Sequence, residues 1–358
     1  MLKENYNVVG VMSGTSLDGV DLAHIEFTVE GQKWDFTILE SETVAYTDEL
    51  VEELKLAVDF SENELKNLNE KYTRVLGNII FDFIRKYNLK NLDAVCSHGH
   101  TILHQPQNGL TLQIGNLKEI ADLIGEKTVC DFRVQDVKLG GQGAPLVPIG
   151  DRILFSEYDY CLNLGGFSNV SFEDAGKRLA FDIAPVNTVL NFYAEKLGFK
   201  YDNKGQISEG GTISPLLLSE LNDLDFYKLK HPKSLGFEFV KTVVLPLIEK
   251  YEIPTEDKLA TFTEHIAFQI SEALQKKNTK LLITGGGAYN DYLIQRIQHY
   301  LPSMEIVIPD AKTIEFKEAL IFALLGVLRL KNEVNVLSSV TGATHDHCSG
   351  IIFGVGVK

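Results

Sequence analysis

Glycines set among hydroxyl, amide and carboxylate side chains recur at three places in this chain, and such groupings are suited to holding phosphate. In SGTSLDGVD (Ser13 to Asp21), Gly14 and Gly19 permit a tight turn and the close approach of an anion. Backbone amides with the Thr15 and Ser16 hydroxyls could cradle its oxygens. Asp18 and Asp21 offer the oxygen ligands that Mg²⁺ prefers, directly or through water. The same residues also read as a hairpin turn whose Asp and Ser merely cap amides. NLGGFSNVS (Asn163 to Ser171) mirrors the first turn with Gly165, Gly166 and Asn169. In LLITGGGAYN a buried strand runs into Gly285, Gly286 and Gly287, with Asn290 at a helix start, a common place for backbone to meet a nucleotide. Each alone reads equally as a plain turn. Together they are what a nucleotide bound between two lobes would need. A Walker or dinucleotide-fold site is not supported, because neither GxxxxGK[ST] nor a convincing GxGxxG is present.

Asp182, in AFDIAPVN, is placed at a strand end just ahead of a helix. A carboxylate there can take a proton from a nucleophile, or it can simply cap the helix. DFRVQDVKLGGQGAPLVP sets Asp131, Arg133 and Asp136 beside a glycine-rich loop containing Gly143 and stopped by Pro145. The planar Arg133 guanidinium could fork onto a carboxylate or phosphate, or pair with a neighbouring Asp. His98, His100 and His104 in SHGHTILHQP, with His345, His347 and Cys348 in the tail, raise the question of zinc. Neither set has a second half at zinc-site spacing, so polar substrate contacts by His98 and His100 are the expectation. HPKSLGFEF (His231 to Phe239) reads as an ordered surface loop.

These motifs fall on an alternating pattern of elements. Asn7 to Met12, Val20 to Glu30 and Trp34 to Val44 read as strands, followed by amphipathic helices over Glu49 to Tyr87 and a strand at Asp93 to Ser97. The order restarts with strands at Asp159 to Leu164, Asn169 to Glu173 and Arg178 to Phe181 and a helix over Asn187 to Leu197. A helix over Leu259 to Gln275 and strands at Lys280 to Thr284 and Ile306 to Ile308 follow, and Lys317 to Leu330 reads as a core helix. Such alternation predicts an α/β architecture with a duplicated core. At 358 residues, 44% apolar and 23% charged, the chain exceeds one core and predicts two domains. A formal charge of −15 disfavours nucleic acid and anionic lipid as partners and favours a small molecule. Four scattered cysteines without a CxxC pair and no apolar targeting run predict a cytoplasmic protein.

The ordered set GVMSGTSLDGVDLA, SHGHTILHQP, TLQIGN, DFRVQDVKLGGQGAPLVP, NLGGFSNV, Asp182, PKSLG, TGGGAYN, EALIFALLG and SVTGA resembles the anhydro-N-acetylmuramic acid kinases, of the sugar kinase, hexokinase and actin superfamily, over nearly the whole chain. The resemblance implies two lobes of related ribonuclease-H-like topology with an ATP and sugar cleft between them, the first from 1–130 plus about 336–358 and the second from 131–335. It implies ATP and Mg²⁺, an amino-sugar substrate, a homodimer, and Asp182 as general base. His98, His100, Thr101, Asp131, Arg133, Gly143, Pro145 and Asn187 would contact the sugar. Where the family usually reads Asp-Thr-Gly-Pro-Gly-Asn, this chain has Asp182, Ile183, Ala184, Pro185, Val186 and Asn187. Val186 disfavours positive φ and Ile183 lacks a hydroxyl, so the loop after the base is expected to take another shape. His100 stands where glutamine is common, and Asn191 where an aspartate is. A kinase for another anhydro or amino sugar, or a catalytically silent sensor of the same fold, remain the alternatives.

Overall fold

The computed structural model describes residues 4–14 and 17–354. They divide into two compact units: the residues up to Leu154 together with those from Phe316 onward, and Phe155–Glu315. In the first unit β1 (Asn5–Ser13), β2 (Val20–Glu30) and β3 (Lys33–Val44) form an antiparallel meander. β1 also pairs in parallel with β4 (Ala94–Gln105), and β4 with β6 (Thr128–Cys130), while β5 (Leu110–Ile114) folds back on β4. In the second unit β7 (Tyr160–Leu164), β8 (Phe167–Asp174) and β9 (Lys177–Pro185) repeat the meander. β7 pairs in parallel with β10 (Lys280–Thr284), and β10 with β11 (Glu305–Val307). β12 (Ile351–Phe353) returns antiparallel to β6 in the first unit. The order 3-2-1-4-6 of the first sheet and 9-8-7-10-11 of the second are therefore one topology used twice, the ribonuclease-H-like core.

Burial explains the elements. β1 is a central strand and is buried along almost its whole length, as a strand covered on both faces must be. The helix Glu62–Lys86 starts at a capping box in which Ser61 and Glu64 satisfy each other's amides, and it buries Leu68, Tyr72, Leu76, Ile80 and Phe83 along one stripe. Among the described residues no helix is long and apolar enough to cross a membrane.

Residues 131–154 and 316–335, expected in the second lobe, lie in the first unit. The reason is a close helix-to-sheet approach made possible by missing side chains. A Cβ on Gly10 of β1 would stand 2.0 Å from the Ala319 carbonyl oxygen, and one on Gly326 would stand 2.1 Å from Cys96 Sγ of β4. The helix Ala311–Lys331 thus beds against the first sheet beyond Phe316, where its backbone leaves helical geometry (φ −110°, ψ 15°). Residues 131–154 are tied to the C-terminal segment by the Thr341 hydroxyl, which donates to Asp136 at 2.7 Å.

Candidate active site

The first glycine turn joins β1 to β2; Thr15 and Ser16 lie outside the described residues. The Gly14 carbonyl accepts from the Leu17 amide at 3.4 Å. A Cβ on Gly19 would come within 2.3 Å of the Val44 carbonyl oxygen, so the turn closes against β3 only with glycine there. Asp18 is exposed, and Asp21, at the start of β2, accepts from the Thr43 hydroxyl at 2.6 Å. Among the described residues no three His, Cys, Asp or Glu side chains gather into a metal cage. Two carboxylates on one turn nonetheless fit Mg²⁺, which binds a few protein oxygens and completes its shell with water and phosphate.

β4 carries the histidines, and each is occupied by a separate partner. Arg133 Nε donates to His98 Nε2 at 2.8 Å while His98 Nδ1 faces the Gly99 carbonyl at 2.9 Å, which fixes a neutral ring protonated on Nδ1. Burial and then the Arg133 charge hold its pKa well below the usual histidine range. Arg133 is itself lowered to about 10, chiefly by desolvation, and its second arm donates to the Gly143 carbonyl at 2.6 Å. The Gly143 amide donates to the buried Asp136 at 2.7 Å. Arg133 therefore binds an imidazole and a carbonyl. His100 Nδ1 lies 2.8 Å from the Ser13 hydroxyl, which meets Tyr46 at 2.5 Å, and Tyr46 meets Tyr72 at 2.6 Å. His104 pairs with Thr111 at 3.1 Å. Thr101 accepts from Gln113 at 3.3 Å. Asp131, at φ 59°, is raised by desolvation, against which the Val134 amide and Lys138 act. Pro145 is exposed and follows a cis peptide.

The second unit brings the other two glycine turns together. The Gly165 carbonyl accepts from the Asn187 amide at 3.2 Å, and Gly166 accepts from both Val186 and Thr188. Asn187 Nδ2 donates to the Leu164 carbonyl at 3.3 Å. Gly285 presses on the same place: a Cβ there would stand 2.5 Å from Asn163 Oδ1 and 2.9 Å from the Leu164 carbonyl. Gly166 and Gly286 expose their backbone beside the start of the helix Asn187–Lys196, whose first amides are taken by the Gly165, Gly166 and Val186 carbonyls. Gly287 packs its backbone on Leu164. Asn290 is buried, and its side chain caps the helix Asp291–Tyr300 by accepting from the Leu293 amide at 2.9 Å.

Asp182 lies inside β9, which continues to Pro185, and pairs with Asn169 of β8. The helix cap is Val186, without a side-chain bond, so Asp182 is not a cap. The register shifts between Ser168 and Asn169, leaving Ile183 as the extra residue of a bulge, a device that re-aims neighbouring side chains. The Asp182 carboxylate is half-buried and accepts from the Leu235 amide at 2.8 Å. Burial raises its pKa, and the Leu235 bond opposes the rise. Val186 sits at φ −127° and Ala184 is not among the described residues with positive φ, so neither position that lacks the family's glycine takes a left-handed backbone, and Ile183 is 2% exposed in the core.

Several groups escaped the sequence reading. Ser13, Tyr46 and Tyr72 extend the His100 chain from three distant segments. Glu318 stays solvent-accessible although the surrounding protein raises its carboxyl pKa, Arg133 acting against the rise. A carboxylate at the head of the apolar run EALIFALLG was the available signal. The segment His231 to Phe239, read as a surface loop, supplies the amide that binds Asp182.

Two units of one ribonuclease-H-like topology, each with glycine turns at its sheet, define a chain of the sugar kinase, hexokinase and actin fold class. A family model for anhydro-N-acetylmuramic acid kinase matches residues 6–355. The curated anhydro-N-acetylmuramic acid kinase of Mannheimia succiniciproducens is 34% identical over 99% of this chain and 100% of its own length. That of Haemophilus influenzae is 32% identical, covering 96% and 97%. This chain belongs to the anhydro-N-acetylmuramic acid kinase family. Among solved structures, it is similar to the ADPNP-bound activator of the 2-hydroxyisocaproyl-CoA dehydratase from Clostridium difficile (15% identity, TM-score 0.43, 91% of this chain and 96% of that one). It is also similar to a ROK family glucokinase from Streptomyces griseus (13% identity, TM-score 0.41, 90% and 99%).

Proposed function

We propose that this chain is an ATP-dependent kinase that opens the 1,6-anhydro ring of 1,6-anhydro-N-acetylmuramic acid with water and phosphorylates the released 6-oxygen. The products are N-acetylmuramic acid 6-phosphate and ADP, a step of cell-wall recycling in the cytoplasm, and the working form is a homodimer. The observation that carries the reading is Asp182: a half-buried carboxylate, raised in pKa and aimed by a β-bulge, in the same unit as the paired turns at Gly165 and Gly285.

Asp182 takes a proton from the water that attacks the anomeric carbon. The bond from that carbon to O6 breaks, O6 bonds to the γ-phosphorus, and ADP departs while the proton passes from Asp182 to solvent. A base with a raised pKa holds that proton better than an ordinary carboxylate does. The exposed backbone at Gly166 and Gly286 and the turn from Gly14 to Asp21 hold phosphate oxygens, with Asp18 and Asp21 as the carboxylates for Mg²⁺. When bound, that ion supplies charge for phosphoryl transfer. In the first unit His100, whose Nδ1 is taken by Ser13, offers its other ring nitrogen to the sugar with Thr101, Asp131 and the Gly143 to Pro145 loop, while neutral His98 fixes Arg133, which holds that loop at Gly143. In the second unit Asn187 serves the sugar. Alignment and electrostatics supply most of the rate.

A coupled ADP-release assay tests this, with the anhydro sugar, its unbridged amino sugar and an ordinary hexose as acceptors. Release with the anhydro sugar alone is expected. Release with the unbridged sugars but not the anhydro sugar points to a simple kinase, and ATP binding without release to any of them points to a sensor.

A further inference from the structure

Asp182 is gripped by a segment that the reaction above does not use. Residues 231–236 run beside β9 and hold Asp182 at two points: its amide donates to the Lys233 carbonyl at 3.0 Å, and its carboxylate accepts from the Leu235 amide at 2.8 Å. The segment has anchors of its own. Lys233 Nζ donates to the Phe226 carbonyl at 3.3 Å and stands 4.5 Å from the centre of the Phe226 ring. The His231 ring stacks on Phe181, the residue before Asp182, with centroids 5.2 Å apart and planes 9° apart.

We propose that segment 231–236 is a positioning element for the base, with the Leu235 amide fixing the direction of the Asp182 carboxylate and setting how readily it gives up its proton. The inference rests on Asp182 being the base. An amide that donates to a carboxylate favours the ionised form, whereas burial favours the neutral one. Without the Leu235 bond the carboxyl would stay protonated to higher pH and be free to turn, so fewer molecules would hold a competent base.

Leu235→Pro deletes this donor, and Leu235→Ala keeps it. The readout is the Asp182 carboxyl pKa by ¹³C NMR titration of the full chain, assigned with Asp182→Asn; it needs no turnover. The Ala variant should titrate like wild type, and the Pro variant should titrate about one to two pH units higher. The acid limb of the kcat profile should move with it while KM for ATP stays constant. A wild-type pKa in a folded Pro variant, or an equal shift in the Ala variant, overturns the proposal. Should the Pro variant not fold, Lys233→Met loosens the anchor and leaves the amide in place: a smaller upward shift with lower kcat is expected, and an unchanged carboxyl overturns the proposal. A shifted carboxyl in a chain that releases no ADP from wild type would count against the kinase reading alone.

Discussion

Replacing Gly285 with Ala tests whether the strand-to-helix turn is built by backbone contact. Gly285 sits at φ 81°, ψ 167°, a region that residues with a Cβ essentially never occupy, and forcing one there costs about 1–3 kcal/mol. The added carbon would also meet Asn163 Oδ1 at 2.5 Å and the Leu164 carbonyl carbon and oxygen at 2.9 Å. The amide side chain can swing away, but the Leu164 backbone is a strand end and cannot, so overpacking adds about 1–3 kcal/mol. The sum is about 2–6 kcal/mol, which lowers the thermal midpoint of a unit of this size by at least about 4 °C. Circular dichroism melts read the loss. Asn163→Ala/Gly285→Ala should recover only the part due to the Oδ1 contact. A single variant melting like wild type with an unchanged KM for ATP would refute both the strain argument and the turn's part in holding phosphate.

Arg133→Lys replaces a fork with a point donor and loses a charged bond to His98 or Gly143, so kcat/KM for the sugar should fall about ten- to a hundredfold in steady-state assays. His100 is pushed down to about 4 by burial, so the unfolded chain takes up its proton first. Stability from this group is complete above about pH 6.5 and drains away as pH falls toward 4. His100→Gln keeps a polar partner for Ser13 and should therefore lose about 2 kcal/mol less than wild type between pH 7 and pH 5, measured from urea midpoints. Ile183→Thr buries a hydroxyl in the core and should cost about 1–3 kcal/mol in urea unfolding, with kinase activity retained below the new midpoint.

The duplicated order of strands was legible because each meander alternates or runs apolar at a fixed period, and β2 and β10 end where the sequence placed them. The motifs bearing glycine were legible because backbone geometry leaves glycine little alternative at Gly19 and Gly285. What escaped was long-range. The approach of Gly326 to Cys96 sets the extent of the first unit, and nothing local in either residue announces it. The His100, Ser13, Tyr46 and Tyr72 chain joins segments far apart in sequence through neutral side chains that a motif does not mark. The role of Leu235 lies in its amide, which every residue except proline has, so no side chain could signal it. At Ile183 the changed residue type is explained by burial, which the sequence pattern around a bulge obscures.

The account rests on water activated by Asp182, and the mass of the sugar product tests it most directly. With ATP and 1,6-anhydro-N-acetylmuramic acid, wild type should yield a product heavier by one phosphoryl group and one water, and Asp182→Asn should form it about 10²- to 10⁴-fold more slowly. A product that gained the phosphoryl group without the water, or an Asn variant as fast as wild type, would contradict the account.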